Sequence, residues 1–387
     1  MEYHSDLDSI ASSIAYSFLA SNLLGKYTVP LIRTPRSDLY LRAENLYALE
    51  LAKLKPDQSD LLCFDDIPPE SYKTLTSSSF VLLDHNRIHP EFLQGGVPPK
   101  VVGIIDHHED EGSHIDVVPR VVKVPVGSCA SLVALHFQPN WEKAPESPPP
   151  ELASLLLLSI FIDTQGLKPG GKAEQIDRDA ANFLFPRSTF ASMATNTLAY
   201  GDSKEIKSII NTLQERKGYI SHLSSRDLLR RDYKEYTFES KSQNPKRVTV
   251  GIATVPLNPK DWREKDPSPR FWESMDSWMD ERKLDMLGVL CTFTGRKSGK
   301  HKRSGMWLVR NRHSTLKDHL WKGMEADEEL KLHRTKLDKK GFSKGLELNE
   351  DGDIKTRHSV ARVWKQGNPK ATRKTVAPLV KALIEGA

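Results

Sequence analysis

Apolar positions in the first half of the chain fall into two spacings. Residues 9–24 carry apolar side chains at helical intervals behind an acidic, serine-containing start, which predicts a helix opened by Asp6-Leu-Asp8-Ser9. Phe80-Val-Leu-Leu-Asp84 and Val101-Val-Gly-Ile-Ile-Asp106 are short unbroken apolar runs that each end in aspartate. Buried parallel strands have this pattern when they deliver side chains to the carboxyl edge of a sheet, where open α/β sheets bind ligands. Residues 152–162 form the most apolar stretch, of a length that suits a buried helix or a strand. Followed by Asp163-Thr164, it reads as a third strand of the same kind. Residues 139–150 are proline-rich and predict a loop. Residues 182–225 are largely helical and polar, a connector. Beyond Asp227 the charge density rises, with strands expected at 248–255, 286–293 and 306–309 and a closing helix at 375–384. The polar run 331–357 is expected to be exposed. There is no internal repeat.

Composition narrows the class. The chain has 387 residues, more than one ordinary core holds, so two domains are expected. A hydrophobic fraction of 38% suits a globular protein, and no apolar run approaches the roughly 18 residues of a membrane span. The N-terminus has neither a basic region nor an apolar core of the signal-peptide kind. Cys63, Cys129 and Cys291 are odd in number and far apart, which suits a reducing compartment and offers no disulfide framework or zinc-knuckle spacing. The net charge of +5 is mild, with its positive part concentrated late in the chain.

Four places in the first half carry metal-binding side chains: Asp6-Leu-Asp8-Ser9, Asp84-His85-Asn86, Asp106-His107-His108 and Asp163-Thr164. Singly each is ordinary, since aspartate caps and turns chains and short motifs recur by chance. Together they set three aspartates at the ends of apolar runs, two histidines directly after one, and an Asp-x-Asp at a helix start. Hard carboxylates with one or two imidazoles suit manganese or magnesium better than a thiolate-rich zinc site. Two such ions about 3.5–4 Å apart activate a water and polarise a phosphoryl oxygen.

In this order the four motifs resemble the DHH phosphoesterase superfamily, and within it the branch of family II inorganic pyrophosphatases, fungal exopolyphosphatases and prune-like proteins. Gly127-Ser-Cys-Ala-Ser-Leu-Val133 resembles that branch's Gly-Ser-Cys segment. Asp232-Tyr-Lys234-Glu resembles the segment that opens its second, DHH-associated domain, and Thr372-Arg373-Lys374 resembles its Ser-Arg-Lys segment. The similarity covers nearly the whole chain, and its length is that of the fungal exopolyphosphatases. The resemblance implies an α/β protein: a parallel-sheet DHH domain over residues 1–200, a linker over 201–226, and a smaller α/β phosphate-binding domain over 227–387, with the active site in the cleft between them. It implies two divalent ions, Mn2+ or Mg2+. Asp6 would bind one ion and Asp8 the other, Asp84 would bridge both, and His107 and Asp163 would complete the second site. His108 would contact substrate phosphate and the developing charge, which makes Asp84 and His108 the catalytic pair. Lys234, Arg373 and Lys374 would hold phosphate, and Asp106 would orient a ligand. The family carries a strand before the first motif and a His or Asn four residues before its first Asp. Here Glu2 holds that position, His4 is out of register, and the expectation is an N-terminus shortened relative to the family.

The basic segments fit a polyanion. Arg230-Arg-Asp-Tyr-Lys234 precedes a strand, Arg296-Lys-Ser-Gly-Lys-His-Lys-Arg303 is a dense basic loop, and Arg373-Lys374 precedes the closing helix, whose N-terminus favours phosphate. The function expected from the resemblance is exopolyphosphatase, releasing orthophosphate from polyphosphate. Alternatives are a family II pyrophosphatase, a prune-like nucleotide phosphodiesterase and a noncatalytic member. Aromatic residues are sparse among the basic segments, so nucleic acid is not an expected partner. No membrane partner is expected. The expected compartment is the cytoplasm, with the mitochondrion second, and the oligomeric state is left open.

Overall fold

The computed structural model describes residues 6–386 apart from 56, 69, 72–77, 94–98, 194–202, 241–246, 267–269, 296–297 and 336–341. Glu2, His4 and the first two residues of the basic loop, Arg296 and Lys297, therefore lie outside the described residues. The chain divides into two compact units that part between Tyr219 and Ile220.

The first unit holds α1 (Leu7–Leu24), β1 (Leu31–Ile32), α2 (Ala43–Leu51), β2 (Leu62–Cys63), β3 (Ser79–Leu83), β4 (Lys100–Asp106), β5 (Arg120–Val122), α3 (Cys129–Glu142), α4 (Pro150–Thr164), α5 (Gln175–Leu184) and α6 (Lys204–Gly218). Every strand pairing is parallel, in two pieces: β1 with β2, and β3–β4–β5. β4 is the central strand, and from Gly103 onward it is buried, ending at Asp106. The first helix starts as its sequence predicts. Asp6 caps it by accepting from the Ser9 N–H at 3.1 Å, and Gly25 ends it at φ +64°.

The third expected strand is a helix. In α4 the whole segment from Leu152 to Ile162 is buried, with no polar face to set a period. A run apolar on all sides reads alike as a buried strand or a buried helix, and its Pro149-Pro150 start and 15-residue length fit the helix. The proline-rich loop also begins later than expected, because Pro139 lies inside the last turn of α3. There Trp141, 3% exposed, packs edge-on against Phe183 at 5.6 Å, and this burial holds the turn against the proline.

The second unit holds α7 (Ser225–Arg231), β6 (Tyr233–Glu239), β7 (Arg247–Val255), α8 (Pro259–Lys265), α9 (Arg270–Glu281), β8 (Met286–Thr294), β9 (His301–Arg310), α10 (Ser314–Ala326), β10 (Leu332–Arg334), β11 (Ile354–Lys355), β12 (Ser359–Gln366) and α11 (Arg373–Glu385). One sheet runs β10–β12–β9–β8–β7–β6, with β11 beside β12, and among the described residues only its β7–β8 pairing is parallel. The strands expected at 248–255, 286–293 and 306–309 and the closing helix are all present. Trp307, Trp321 and Trp364 pack with residues of α10 and α11 in this unit's core. The polar run 331–357 is not simply exposed. Phe342 is 1% exposed, and its carbonyl accepts from Trp272 Nε1 at 2.9 Å. Asp353 is fully buried between Arg334 and Arg362, so its polar composition reflects a buried ion-pair cluster.

Candidate metal centre

Two strand ends and a helix start bring the predicted acids and histidines together. Leu83 closes β3, and the next residue, Asp84, sits at φ +65°, a left-handed backbone that a non-glycine residue adopts at a cost. Its N–H donates to the Ile105 carbonyl of β4 at 3.0 Å, which fixes the turn. Asp84 Oδ2 accepts from Ser9 Oγ at 2.5 Å, and the same hydroxyl lies 3.3 Å from Asp6 Oδ1, so Ser9 links two motifs. His107 and His108 follow β4 directly. His107 Nε2 lies 3.2 Å from Asp84 Oδ1 and 3.6 Å from Asp8 Oδ2. His108 Nδ1 lies 3.6 Å from Asp84 Oδ1. Asp84, His107 and His108 thus form a group whose ligand atoms could share one ion.

Each imidazole is oriented by a second contact. His107 Nδ1 donates to the Val126 carbonyl at 3.0 Å, which leaves Nε2 with its lone pair in the neutral ring. His108 Nδ1 donates to Asp106 Oδ1 at 2.8 Å, and Asn86 Nδ2 holds the other Asp106 oxygen at 2.6 Å. Asp106 is fully buried and spent on these contacts, so it supports His108 rather than facing the group itself. His85 turns away. Its Nδ1 meets the Leu83 carbonyl at 2.9 Å, and its ring lines a separate cavity of about 400 Å³ beside β3.

Asp8 is 1% exposed, and both its oxygens meet the start of α3. It accepts from Ser128 Oγ at 2.7 Å, the Cys129 N–H at 2.6 Å, the Ala130 N–H at 2.9 Å and Ser159 Oγ at 2.9 Å. A carboxylate at a helix N-terminus is stabilised by the helix dipole as well as by these donors. The Gly-Ser-Cys segment is in turn held by Asp177, which accepts from the Gly127 and Ser128 N–H groups and from Ser131 Oγ. A Cβ on Gly127 would stand 2.6 Å from Thr164 Cγ2 and 2.7 Å from Asp177 Oδ2, so only glycine fits.

The electrostatics call for a cation. Asp84 Oδ1 is buried and faces His107 Nε2 at 3.2 Å. Burial, then the charge of Asp8, pushes the Asp84 carboxyl up to about 8. Burial, then Asp8 and Asp6, pushes Asp163 up to about 7 against the nearby Lys217, whose Nζ is 3.6 Å away. Burial would lower His107, but the adjoining Asp84 carboxylate and Asp8 overcome it and raise it to about 9. Burial likewise opposes the shift at Asp6, where Arg42 and the Ser9 N–H win and hold the carboxyl below its usual value. Without a cation Asp84, Asp163 and His107 favour holding protons, a need that a metal ion would also answer. A buried carboxylate oxygen, an imidazole nitrogen beside it and several hard acids fit a divalent ion.

Two family models match the chain: the DHH family N-terminal domain over residues 1–160 and the DHHA2 domain over residues 211–383. A protein of Schizosaccharomyces pombe named "Putative exopolyphosphatase" is 32% identical over 97% of this chain and 87% of its own length. The chain belongs to the DHH family. The rat and human proteins named "Exopolyphosphatase PRUNE1" are each 26% identical to this DHH chain over 59% of it, and the match spans 47% of their own length. The fold is shared with the crystal structure of a Methanococcus jannaschii "putative family II inorganic pyrophosphatase", with a TM-score of 0.55, 19% identity and 99% of both chains covered.

The DHHA2 match contains the remaining predicted residues. Lys234 lies in β6, opposite Ile252 of β7. Arg373 and Lys374 open α11 behind the cap Thr372, in the first turn rather than ahead of the helix. Arg373 Nη1 is 2.8 Å from Asp232 Oδ1, which ties the two DHHA2 motifs together. The structure brings Asp6, Asp8, Asp84, His107 and His108 into one neighbourhood, with Asp163 in charge reach of Asp8 and Asp6. Residue reasoning missed Asp177, Ser159 and Lys217, whose types carry no metal signature and whose roles arise only from folding.

Proposed function

We propose that this DHH chain is a metal-dependent phosphoanhydride hydrolase that releases orthophosphate from inorganic polyphosphate. The observation that carries the reading is the group Asp84, His107 and His108, whose ligand atoms could share one ion, set beside the buried carboxylate of Asp8. The 32% identity to the fission yeast protein over 97% of the chain supports the substrate. Asp84, Asp8, His107, Asp6 and Asp163 would hold two divalent ions, Mn2+ or Mg2+. Bound there, the ions supply Lewis acidity toward a phosphoryl oxygen and toward the attacking water.

The chain's own residues do the rest. Asp8, fixed by four donors, keeps its carboxylate in place without reorganisation during the reaction. His108 gives Nδ1–H to Asp106, so its half-exposed ring offers Nε2 to substrate. Burial opposes protonation of His108, but the hydrogen bond to Asp106 and the charge of Asp84 raise its pKa, which favours a proton on Nε2 that can be given toward developing phosphate charge. Lys234, Arg373 and Lys374 of the DHHA2 domain hold the phosphate away from the acids, Arg373 with a planar fork and the lysines with point charges. We assign the protein to the cytoplasm on its three free, buried thiols. No helix among the described residues is long and apolar enough to cross a membrane.

The test is orthophosphate release by the purified protein with Mn2+ or Mg2+, from polyphosphate and from pyrophosphate in parallel. Release from polyphosphate is the expected result. Turnover of pyrophosphate with none of polyphosphate moves the substrate to pyrophosphate, which the fold shared with the Methanococcus protein favours.

A further inference from the structure

The DHHA2 domain carries a second concentration of positive charge that the family motifs do not include. A groove of about 670 Å³ opens where the start of β9 runs beside the end of β12, with Arg303 opposite Gln366 and Ser304 opposite Lys365. Lys260, Lys300, Lys302, Arg303 and Lys365 line it together with two histidines, and among the described residues its lining holds no aspartate or glutamate.

Charge of one sign is ordinarily answered by nearby carboxylates, and here it is not. Lys260 reaches Glu264 at 3.6 Å, but Lys300, Lys302, Arg303 and Lys365 make no ion pair among the described residues. Arg303 is the telling member. Its side chain is half-buried, its Nε donates to the Pro369 carbonyl at 2.7 Å, and its two terminal nitrogens make no bond among the described residues. Burial alone lowers its pKa, so the fold carries a partly desolvated guanidinium with four idle N–H donors. Such a fork is matched by a phosphate, bidentately.

We propose that this groove binds the distal phosphates of a linear condensed phosphate, beyond the end that is cut. This deepens the polyphosphate reading above and rests on it for the identity of the chain-like anion. A small anion would meet one or two of the cations. Five cations along a groove suit a ligand that repeats negative charge. The aromatic lining offers no platform for a base, because Phe342 is 1% exposed and Phe293 is half-buried. The groove also adjoins the DHHA2 phosphate motif. Gln366 Nε2 donates to the Ala371 carbonyl at 2.7 Å, one residue before Thr372-Arg373-Lys374, so one anion can run from the motif cations into the groove.

The test separates binding from turnover. Fluorescence anisotropy of end-labelled long-chain polyphosphate with the full chain in EDTA reads binding without hydrolysis. The double variant Lys302→Gln/Lys365→Gln removes two exposed charges. It should bind on the order of tenfold more weakly, with a shallower salt dependence and an unchanged melting temperature. A charge-matched control, Lys355→Gln/Lys381→Gln, lies outside the groove and should bind as wild type. With metal, the groove variant should lose kcat/KM on long polyphosphate by a similar factor while pyrophosphate turnover stays within about twofold. Unchanged polyphosphate binding, or equal weakening by the control, overturns the groove. ATP displacing the label at lower concentration than tripolyphosphate overturns the linear-phosphate chemistry in favour of a nucleotide. Wild-type protein that binds polyphosphate through the groove yet releases no phosphate sinks the hydrolase reading and leaves this site standing.

Discussion

At the scale of single residues, Asp84 concentrates the constraints of the centre. Its backbone is left-handed at φ +65°, its carboxyl is raised to about 8, and its buried Oδ1 faces His107 Nε2 at 3.2 Å. Backbone strain and a buried carboxyl at one residue cost stability, of order 1–3 kcal/mol for the backbone alone, and are retained where a ligand needs that geometry. Asp84→Asn keeps shape and hydrogen bonding to Ser9 but removes the charge that faces His107. Turnover should fall by at least about 10³-fold, with circular dichroism unchanged, and near-wild-type activity would remove Asp84 from the centre. The pKa directions predict a pH effect as well. Asp84 at about 8 and Asp163 at about 7 lie above the free-carboxyl value of 3.8, and His107 at about 9 lies above 6.5. In all three the folded state holds the proton more tightly than the unfolded one. The metal-free protein should therefore be most stable below about pH 4 as far as these groups decide, and lose that stability as pH climbs through 7 to 9. Mn2+ bound at these residues would displace those protons. The rise in melting temperature on adding metal should be larger at pH 8.5 than at pH 6, by at least about 2–4 °C, read by scanning calorimetry in both conditions. An equal rise at both pH values would contradict proton–metal competition at these residues. Residue types made Asp84, His107 and His108 legible in the sequence. Ser159 was silent, because serines are common and the partner it holds, Asp8, lies more than a hundred positions away, and Ser128 stood out only within the Gly-Ser-Cys resemblance, which named no partner for it.

The helix starting at Leu7 was legible from its one-faced apolar spacing, β3 and β4 from short unbroken apolar runs ending in aspartate, and β7 and β8 from their apolar runs. The segment of α4 did not, because burial on every side erases periodicity and leaves only length and flanking prolines to decide. Pro139 misled in the opposite sense, since packing of Trp141 outweighs a local preference for a loop. The turn into α3 combines both kinds of information. Glycine at 127 suggests a close approach, but only the fold reveals that Asp177 and Thr164 supply it. Gly127→Ala should destabilise the protein by about 1–3 kcal/mol, the scale of overpacking a close-packed site. It should also weaken metal binding, because the displaced segment carries the N–H groups that fix Asp8. Chemical denaturation with and without Mn2+ measures both. A stable variant with wild-type metal affinity would show that the segment tolerates displacement and that Asp8 is positioned by something else.

On the scale of the whole molecule, the chemistry is divided between two compact units that part after Tyr219. The acids and imidazoles belong to the DHH part, and the motif cations Lys234, Arg373 and Lys374 belong to the DHHA2 part. The sequence announced this division through a shift in charge density, but composition alone left each cation's partner unknown. In the structure Arg373 is held by Asp232 at 2.8 Å, so its charge is preorganised rather than mobile. Asp232 neutralises part of that charge, so in its proposed role Arg373 would act as a directional donor to substrate more than as a long-range attractor. Removing it should thus act on the transition state. Arg373→Ala should lower kcat/KM for polyphosphate by roughly 2–4 kcal/mol, on the scale of one preorganised donor, while leaving the metal titration of the DHH acids unchanged. Asp106→Ala provides the contrast. It releases the ring of His108 beside Asp84, so turnover should fall about 10–100-fold even though Asp106 itself touches neither phosphate nor metal. Isothermal titration with Mn2+ and kcat/KM at saturating metal, measured for both variants, separate the two effects. If Arg373→Ala loses metal affinity but keeps wild-type kinetics at saturating metal, the cation serves the metal centre. The division of labour between acids in one unit and phosphate-holding cations in the other then fails.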